Sequence, residues 1–198
     1  MRKVGGLLLA AFLASTVLGQ DSARQNEKTF PTNEEIGHIV AETDRAMVQY
    51  ELSIQQEQLV LGSRGAEGIS TDQQVLSVWK MASKALRSKP QAFNGEAGFD
   101  FIVNLDDAAR NSALCASTAV ALVPGSMDSK DAKTAEALMG LAQSCSAVST
   151  LVYQVSEDSS DLYRKYLAAE SRLATREMST LEGCMASLKG NTATRKPQ

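Results

Sequence analysis

The longest periodic stretch of the chain is LMGLAQSCSAVSTLVYQVSEDSSDLYRKYLAAESRL, residues 138–173. Its apolar and small residues recur at steps of three and four, which is the spacing of one face of an α-helix. No proline and no cluster of glycines interrupts the chain between Asp128 and Gly190. The pattern predicts either one helix of about 55–60 residues or two helices joined at the polar hexapeptide 156–161, where Asp158 or Ser160 could cap a new helix.

Shorter periodic segments precede this stretch. Thr32 and Glu35 have the spacing of a capping box, in which each side chain accepts a hydrogen bond from the backbone amide of the other residue. Residues 99–105 also alternate as a strand would, but a lone strand has no pairing partner elsewhere in the chain. The predicted helices are 32–60, 70–89 and 98–123, separated by the glycines of segment 62–68 and ended by Pro90 and by Pro124-Gly125.

These segments predict an all-α fold. We expect a bundle of four to five long amphipathic helices, formed by residues 32–189 as a single domain. The alternative is one very long C-terminal helix with three shorter helices. Segment 20–31 is polar and aperiodic and is predicted to be a flexible arm, and residues 190–198 are predicted to form a loose tail.

The N-terminus predicts export. Arg2 and Lys3 precede an apolar run, and Val17 and Gly19 are small enough for the positions that flank a signal-peptide cleavage site. Residues 1–19 are therefore interpreted as a signal peptide, with a short uncleaved anchor as the alternative. A bacterial lipoprotein is excluded because Gln20 stands where the lipidated cysteine would be. We expect a periplasmic or extracellular protein without stable membrane insertion after cleavage.

The charge argues against nucleic acid as a partner. The chain has 20 basic and 23 acidic residues, and removal of residues 1–19 takes away two basic ones, which leaves a net charge of −5. Such a chain is repelled by phosphate backbones. The densest basic cluster, Lys80 to Lys89, has the spacing of one exposed helix face.

No catalytic constellation is found. His38 is the only histidine, no serine lies in a G-x-S-x-G context, and no C-x-x-C-H motif for haem occurs. Glu35, His38 and Glu42 share a helix face and are weak candidates for metal ligands, since Glu-x-x-His is half of a di-iron motif. Asp100, Asn104, Asp107 and Asn111 form a polar stripe that is interpreted as a solvated face. We expect no catalytic residue and no cofactor.

The cysteines of an exported protein are expected to oxidise. If the chain reverses at Pro124-Gly125, the distances of Cys115 and Cys145 from the reversal, measured along the helix axes, differ by about 12 Å. A disulfide requires Cα atoms within about 7 Å, so these two cysteines are predicted to be too far apart to bond. A second reversal near residues 156–161 would bring Cys184 level with Cys115. This reasoning predicts a Cys115–Cys184 disulfide with Cys145 free, and it favours two helices over one in the C-terminal segment.

Long amphipathic helices without a catalytic set are typical of proteins that hold a shape or present a face to a partner. The sequence therefore predicts a non-enzymatic structural or protein-interaction module with a protein partner that it does not identify, and self-association into a homo-oligomer is a further expectation. The alternative is a helical bundle that binds a small ligand or a metal.

Overall fold

The computed structural model describes residues 30–128 and 131–193, and the side chains of these residues up to 186. Within these ranges the chain is helical and contains no strand, so the predicted all-α class is confirmed. No helix in the described ranges is both long and apolar enough to cross a membrane. The α-helices are α1 (Asn33–Leu61), α2 (Ala66–Ser88), α3 (Glu96–Asp128) and α4 (Ala132–Ala193), and short 3₁₀ helices occupy Gly62–Gly65 and Pro90–Phe93.

The start of α1 is the predicted capping box. The Glu35 amide donates to Thr32 Oγ1 at 3.2 Å, and the Thr32 amide donates to Glu35 Oε2 at 2.8 Å. The helix ends at Gly62, whose φ of 54° lies in the left-handed region that favours glycine. The predicted glycine connector is shorter than expected, because the chain needs only one 3₁₀ turn before α2 begins at Ala66 rather than at Ser70.

The connection from α2 to α3 is held by aromatic packing. Phe93 is fully buried, and its ring lies 6.5 Å from Phe101 and 6.0 Å from Tyr163, in edge-on geometry in both pairs. Gly98 passes so close to Phe93 that a Cβ atom there would overlap the Phe93 carbonyl oxygen. A close approach of two backbones therefore sets the start of α3.

Residues 31–163 form one compact unit that contains two apolar clusters. The larger cluster joins α1, α2, α3 and the first part of α4, and its fully buried large side chains include Tyr50, Trp79, Leu86 and Phe101. The smaller cluster is Leu61, Cys115, Ala119, Leu138, Leu141, Ala142 and Cys145. Burial of side chains of this size is the main stabilising contribution to such a bundle.

Helix α3 does not end at Pro124-Gly125 as predicted. It continues through Pro124 to Asp128, and its partly buried residues Leu122 and Val123 pack on the smaller cluster. Asp131 then caps α4, since its carboxylate accepts hydrogen bonds from the Thr134 amide at 3.1 Å and the Thr134 hydroxyl at 2.6 Å. Tertiary packing offsets the hydrogen bond that a proline removes from a helix interior.

The break predicted at residues 156–161 is also absent. Helix α4 continues through this hexapeptide, because Ser156 and Ser159 are buried and hydrogen-bonded rather than exposed in a turn. The Ser156 hydroxyl donates to Asp106 at 2.5 Å, and the Ser159 hydroxyl donates to the Val155 carbonyl at 2.7 Å. The alternative with one very long C-terminal helix is therefore the correct description of this segment.

Residues 164–193 belong to a second unit together with Phe30, a division that falls inside the segment 32–189 treated as one domain from the sequence. In this unit Ala169 is buried and the rings of Phe30 and Tyr166 lie 6.1 Å apart. The helix continues to Ala193, so residues 190–193 of the predicted loose tail are helical. The predicted signal peptide 1–19 and most of the predicted arm 20–31 lie outside the described residues.

Candidate functional site

The three metal-ligand candidates are not brought together. Glu35 uses its carboxylate in the cap of α1. His38 Nδ1 lies 3.6 Å from Glu42 Oε2, and the His38 side chain is 71% exposed. No group of three or more potential metal ligands occurs among the described residues. The face shared by these residues is a helix terminus with an exposed contact between His38 and Glu42.

The predicted Cys115–Cys184 disulfide is wrong. Cys115 is bonded to Cys145, with Cα atoms 6.0 Å apart, and Cys184 is free and exposed. The prediction failed because it placed the reversal at Pro124-Gly125. With α3 ending at Asp128, Cys115 precedes Asp128 by 13 positions and Cys145 follows Ala132 by 13, so the two cysteines are level in an antiparallel hairpin.

The most unusual chemistry in the described residues is a buried pair of carboxyl groups. Glu57 of α1 is 5% exposed, Asp72 of α2 is 4% exposed, and their side chains are hydrogen-bonded to each other. Tyr50, which is fully buried, donates its hydroxyl to Asp72 Oδ1 at 2.8 Å. We refer to Tyr50, Glu57, Asp72 and Asn111 as the carboxyl cluster.

The environment of the carboxyl cluster disfavours two negative charges. Burial, the charge of Asp72 and the hydrogen bond to Asp72 raise the pKa of Glu57 to about 7. Burial also raises the pKa of Asp72, although hydrogen bonds from Tyr50 and Glu57 and the nearby Asn111 amide act in the opposite direction. Ionisation of both groups is therefore disfavoured, and Glu57 and Asp72 titrate as a coupled pair that retains a proton to higher pH than two exposed carboxyl groups would.

Asn111 brings α3 to the cluster. Its amide favours the ionised forms of Tyr50 and Asp72, while its buried Nδ2 atom forms no hydrogen bond of ordinary geometry. Interpretation of this residue as part of a solvated face is therefore wrong for Asn111, although Asp107 in the same stripe is 45% exposed. The Tyr50 pKa is raised, mainly by burial and then by the charge of Asp72.

Sequence reasoning missed Glu57 and Asp72, although a signal was present. Glu57 stands on the apolar stripe of α1, three residues after Ile54 and four before Leu61. Asp72 stands three residues after Ile69 and four before Leu76, both of which are buried. A charged residue that occupies a core position of the helical repeat is the pattern that indicates a buried ionisable group.

Two surface features are open to larger ligands or partners. A cleft of about 780 Å³ lies at the reversal between α3 and α4, lined by Met127, Ala132, Ala135, Glu136, Met139, Gly140 and Gln143. Separately, Leu167, Met178, Leu181 and Met185 of α4 are 46–63% exposed. Because they follow one another at steps of eleven, three and four residues, they lie on one face of the helix, which we call the α4 stripe.

The comparisons with known proteins yield no relative. No family model, characterised protein or solved structure matches the chain. The function must therefore be argued from the geometry of these sites.

Proposed function

We propose that this chain is an exported, non-enzymatic protein-interaction module whose contact element is the α4 stripe. The observation that carries the proposal is the exposure of four large apolar side chains on one face of a regular helix. The N-terminal sequence pattern supports export, and the lack of a catalytic set in the sequence supports a non-enzymatic role.

Exposure of the apolar side chains of the α4 stripe to water is unfavourable in free energy. All residues from 173 to 186 are exposed, so the described residues give this part of the helix little apolar cover. An isolated helix of this length is marginal in water, because most helix stability in proteins comes from packing of an apolar face. Coverage by a partner helix would supply the missing burial, at roughly 25 cal/mol for each Å² of apolar surface.

The partner we propose is a second copy of the chain. Steps of three and four are the spacing that two helices share when their apolar faces pack as knobs into holes, so the stripe is complementary to itself. It extends over about 27 Å from Leu167 to Met185, or five helical turns. A two-fold dimer would use the same stripe from both copies.

The charges beside the stripe favour an antiparallel dimer. In a parallel pair, Glu177 of one copy would face Glu182 of the other, and like charges at such flanking positions are destabilising. In an antiparallel pair centred between Met178 and Leu181, where Met178 of one copy packs on Leu181 of the other, Glu177 faces the Cys184 position and Glu182 faces Thr175. No two glutamates are then opposed.

Sedimentation analysis of residues 20–198 tests the proposal. We expect a concentration-dependent dimer that Leu181→Glu converts to a monomer, because the variant places a charge in the centre of the interface. Leu114→Glu is the matched control, since Leu114 on α3 is 63% exposed and Leu181 is 62% exposed. A wild-type protein that stays monomeric at high concentration, or a dimer that survives Leu181→Glu, would overturn self-association through this stripe.

A second function, binding of a small apolar ligand, is favoured by the cleft beside Met127 and Met139. Its volume of about 780 Å³ is within the range of ligand sites, and its lining is largely apolar. A Cβ atom at Gly140 would meet no atom within 4 Å, so Gly140→Leu should fill the cleft without disturbing the helix. We expect binding of a hydrophobic fluorescent probe to be lost in Gly140→Leu, and unchanged binding would contradict this second function.

A further inference from the structure

The carboxyl cluster contains residues of three helices and lies near the α1–α2 reversal. Tyr50 and Glu57 come from α1, Asp72 from α2 and Asn111 from α3. Glu57 and Asp72 are within a few per cent of complete burial, and Tyr50 is completely buried. A charge at this depth is stable only when neighbouring groups neutralise it or donate hydrogen bonds to it.

The cluster has enough hydrogen-bond donors to stabilise one carboxylate, but not two. When Glu57 is protonated, its hydroxyl and that of Tyr50 both donate to the Asp72 carboxylate. Loss of this proton to solvent removes one donor and leaves two adjacent carboxylates. The groups that act on the pKa values of the pair are Tyr50, Asn111 and the two carboxyl groups themselves, and none of them carries a positive charge.

The Glu57 side chain reaches from α1 to the first turn of α2. A Cβ atom at Gly68, in that turn, would lie 3.5 Å from Glu57 Oε1, which is an ordinary contact distance. The buried carboxyl groups of Glu57 and Asp72 therefore belong to opposite sides of the α1–α2 contact. Repulsion between them is transmitted to the contact between these helices.

We propose that Glu57 and Asp72 form a proton-dependent switch that holds the α1–α2 contact together while the pair shares a proton and loosens it when the proton is lost. The sign follows from linkage. A carboxyl group whose pKa is raised in the folded state binds more protons folded than unfolded, so stability falls as pH rises from the unfolded pKa, about 4.3, through the folded one. The switch loosens between about pH 5 and pH 8.

Urea unfolding of the mature protein at several pH values measures this effect. We expect the equilibrium constant for unfolding to rise by on the order of 100-fold between pH 5 and pH 8, because the pKa of Glu57 is displaced by two to three units. In Glu57→Gln, whose neutral amide can still donate to Asp72, most of this pH dependence should vanish. Unchanged pH dependence in Glu57→Gln would overturn the proposal, as would a wild-type protein whose stability is constant over this range.

A matched control and a direct measurement complete the test. Glu51→Gln alters an exposed carboxylate of the same helix, one that pairs with Lys80 at 2.8 Å, and should retain the wild-type pH dependence. If Glu57→Gln does not fold, carbon-13 spectra of the wild-type carboxyl groups decide: one glutamate must titrate near pH 7. If every glutamate carboxyl titrates below pH 5.5, the proposal is wrong.

Discussion

Single residues decide where the helices of this bundle can approach each other. Gly98 is the clearest case, because its α-carbon faces the Phe93 carbonyl oxygen with no space for a side chain. Its amide also donates to the Gly95 carbonyl at 3.1 Å, which fixes the first turn of α3. The position of Phe93 in the core therefore depends on the absence of one methyl group at residue 98.

We expect Gly98→Ala to destabilise the protein by roughly 1–3 kcal/mol, since either the Phe93 backbone or the start of α3 must move. Gly37→Ala is the control, because a Cβ atom at Gly37 meets nothing within 4 Å and lies inside a helix. That substitution should stabilise by about 0.5–1 kcal/mol. Urea unfolding at constant pH compares the two, and equal free energies of unfolding for the two variants would contradict the assignment.

At the scale of an element, an error of a few residues in a helix end changes every distance that is counted from it. The steps of three and four predicted the helical class, because a core face leaves this period in the sequence, but they left open whether the C-terminal segment is one helix or two, and the predicted cysteine pairing wrongly favoured two. The end of α3 was not predictable from local sequence, because Pro124 and Gly125 usually end a helix, whereas here Leu122 and Val123 pack against the smaller apolar cluster and α3 continues to Asp128. An Asp131 cap with Thr134 three residues later was the available signal.

The candidate sites were less predictable than the helices. A site depends on which faces meet, whereas a helix depends on local spacing. The pairing of Glu57 with Asp72 requires α1 and α2 to be antiparallel with these residues level, and neither fact is present in a local window of sequence. Two ion pairs join the same helices in an antiparallel alignment. Arg87 of α2 contacts Asp44 of α1 at 2.6 Å, and Lys80 of α2 contacts Glu51 of α1 at 2.8 Å.

The α3–α4 hairpin predicts the cysteine chemistry. A non-reducing peptide map should contain a Cys115–Cys145 linked peptide and an alkylated Cys184. Replacement of Cys115 and Cys145 together by alanine should cost roughly 2–4 kcal/mol, because the disulfide closes a loop of intermediate length in the unfolded chain. Cys184→Ala, at an exposed position, should leave the free energy of unfolding within about 0.5 kcal/mol. A linked peptide that contains Cys184 would contradict the register of the hairpin.

On the scale of the whole molecule, the apolar core and the α4 stripe occupy different parts of the chain. Both apolar clusters and the carboxyl cluster lie within residues 31–163. The stripe lies in the unit that contains residues 164–193. Folding and association should therefore depend on separate segments, although α4 contributes residues to both.

A fragment of residues 31–163 separates the two properties. Because it retains every buried residue of both clusters and the Cys115–Cys145 disulfide, we expect it to fold cooperatively, with a melting temperature within about 5 °C of that of residues 20–198. The fragment should also keep the pH dependence that we assign to Glu57, since the carboxyl cluster is intact.

The same fragment should sediment as a monomer at concentrations where the longer chain is a dimer, because it lacks the α4 stripe. A fragment that is unfolded by circular dichroism would show that residues 164–198 are required for the fold, and a fragment that still forms a dimer would place the interface on α1, α2, α3 or the first part of α4.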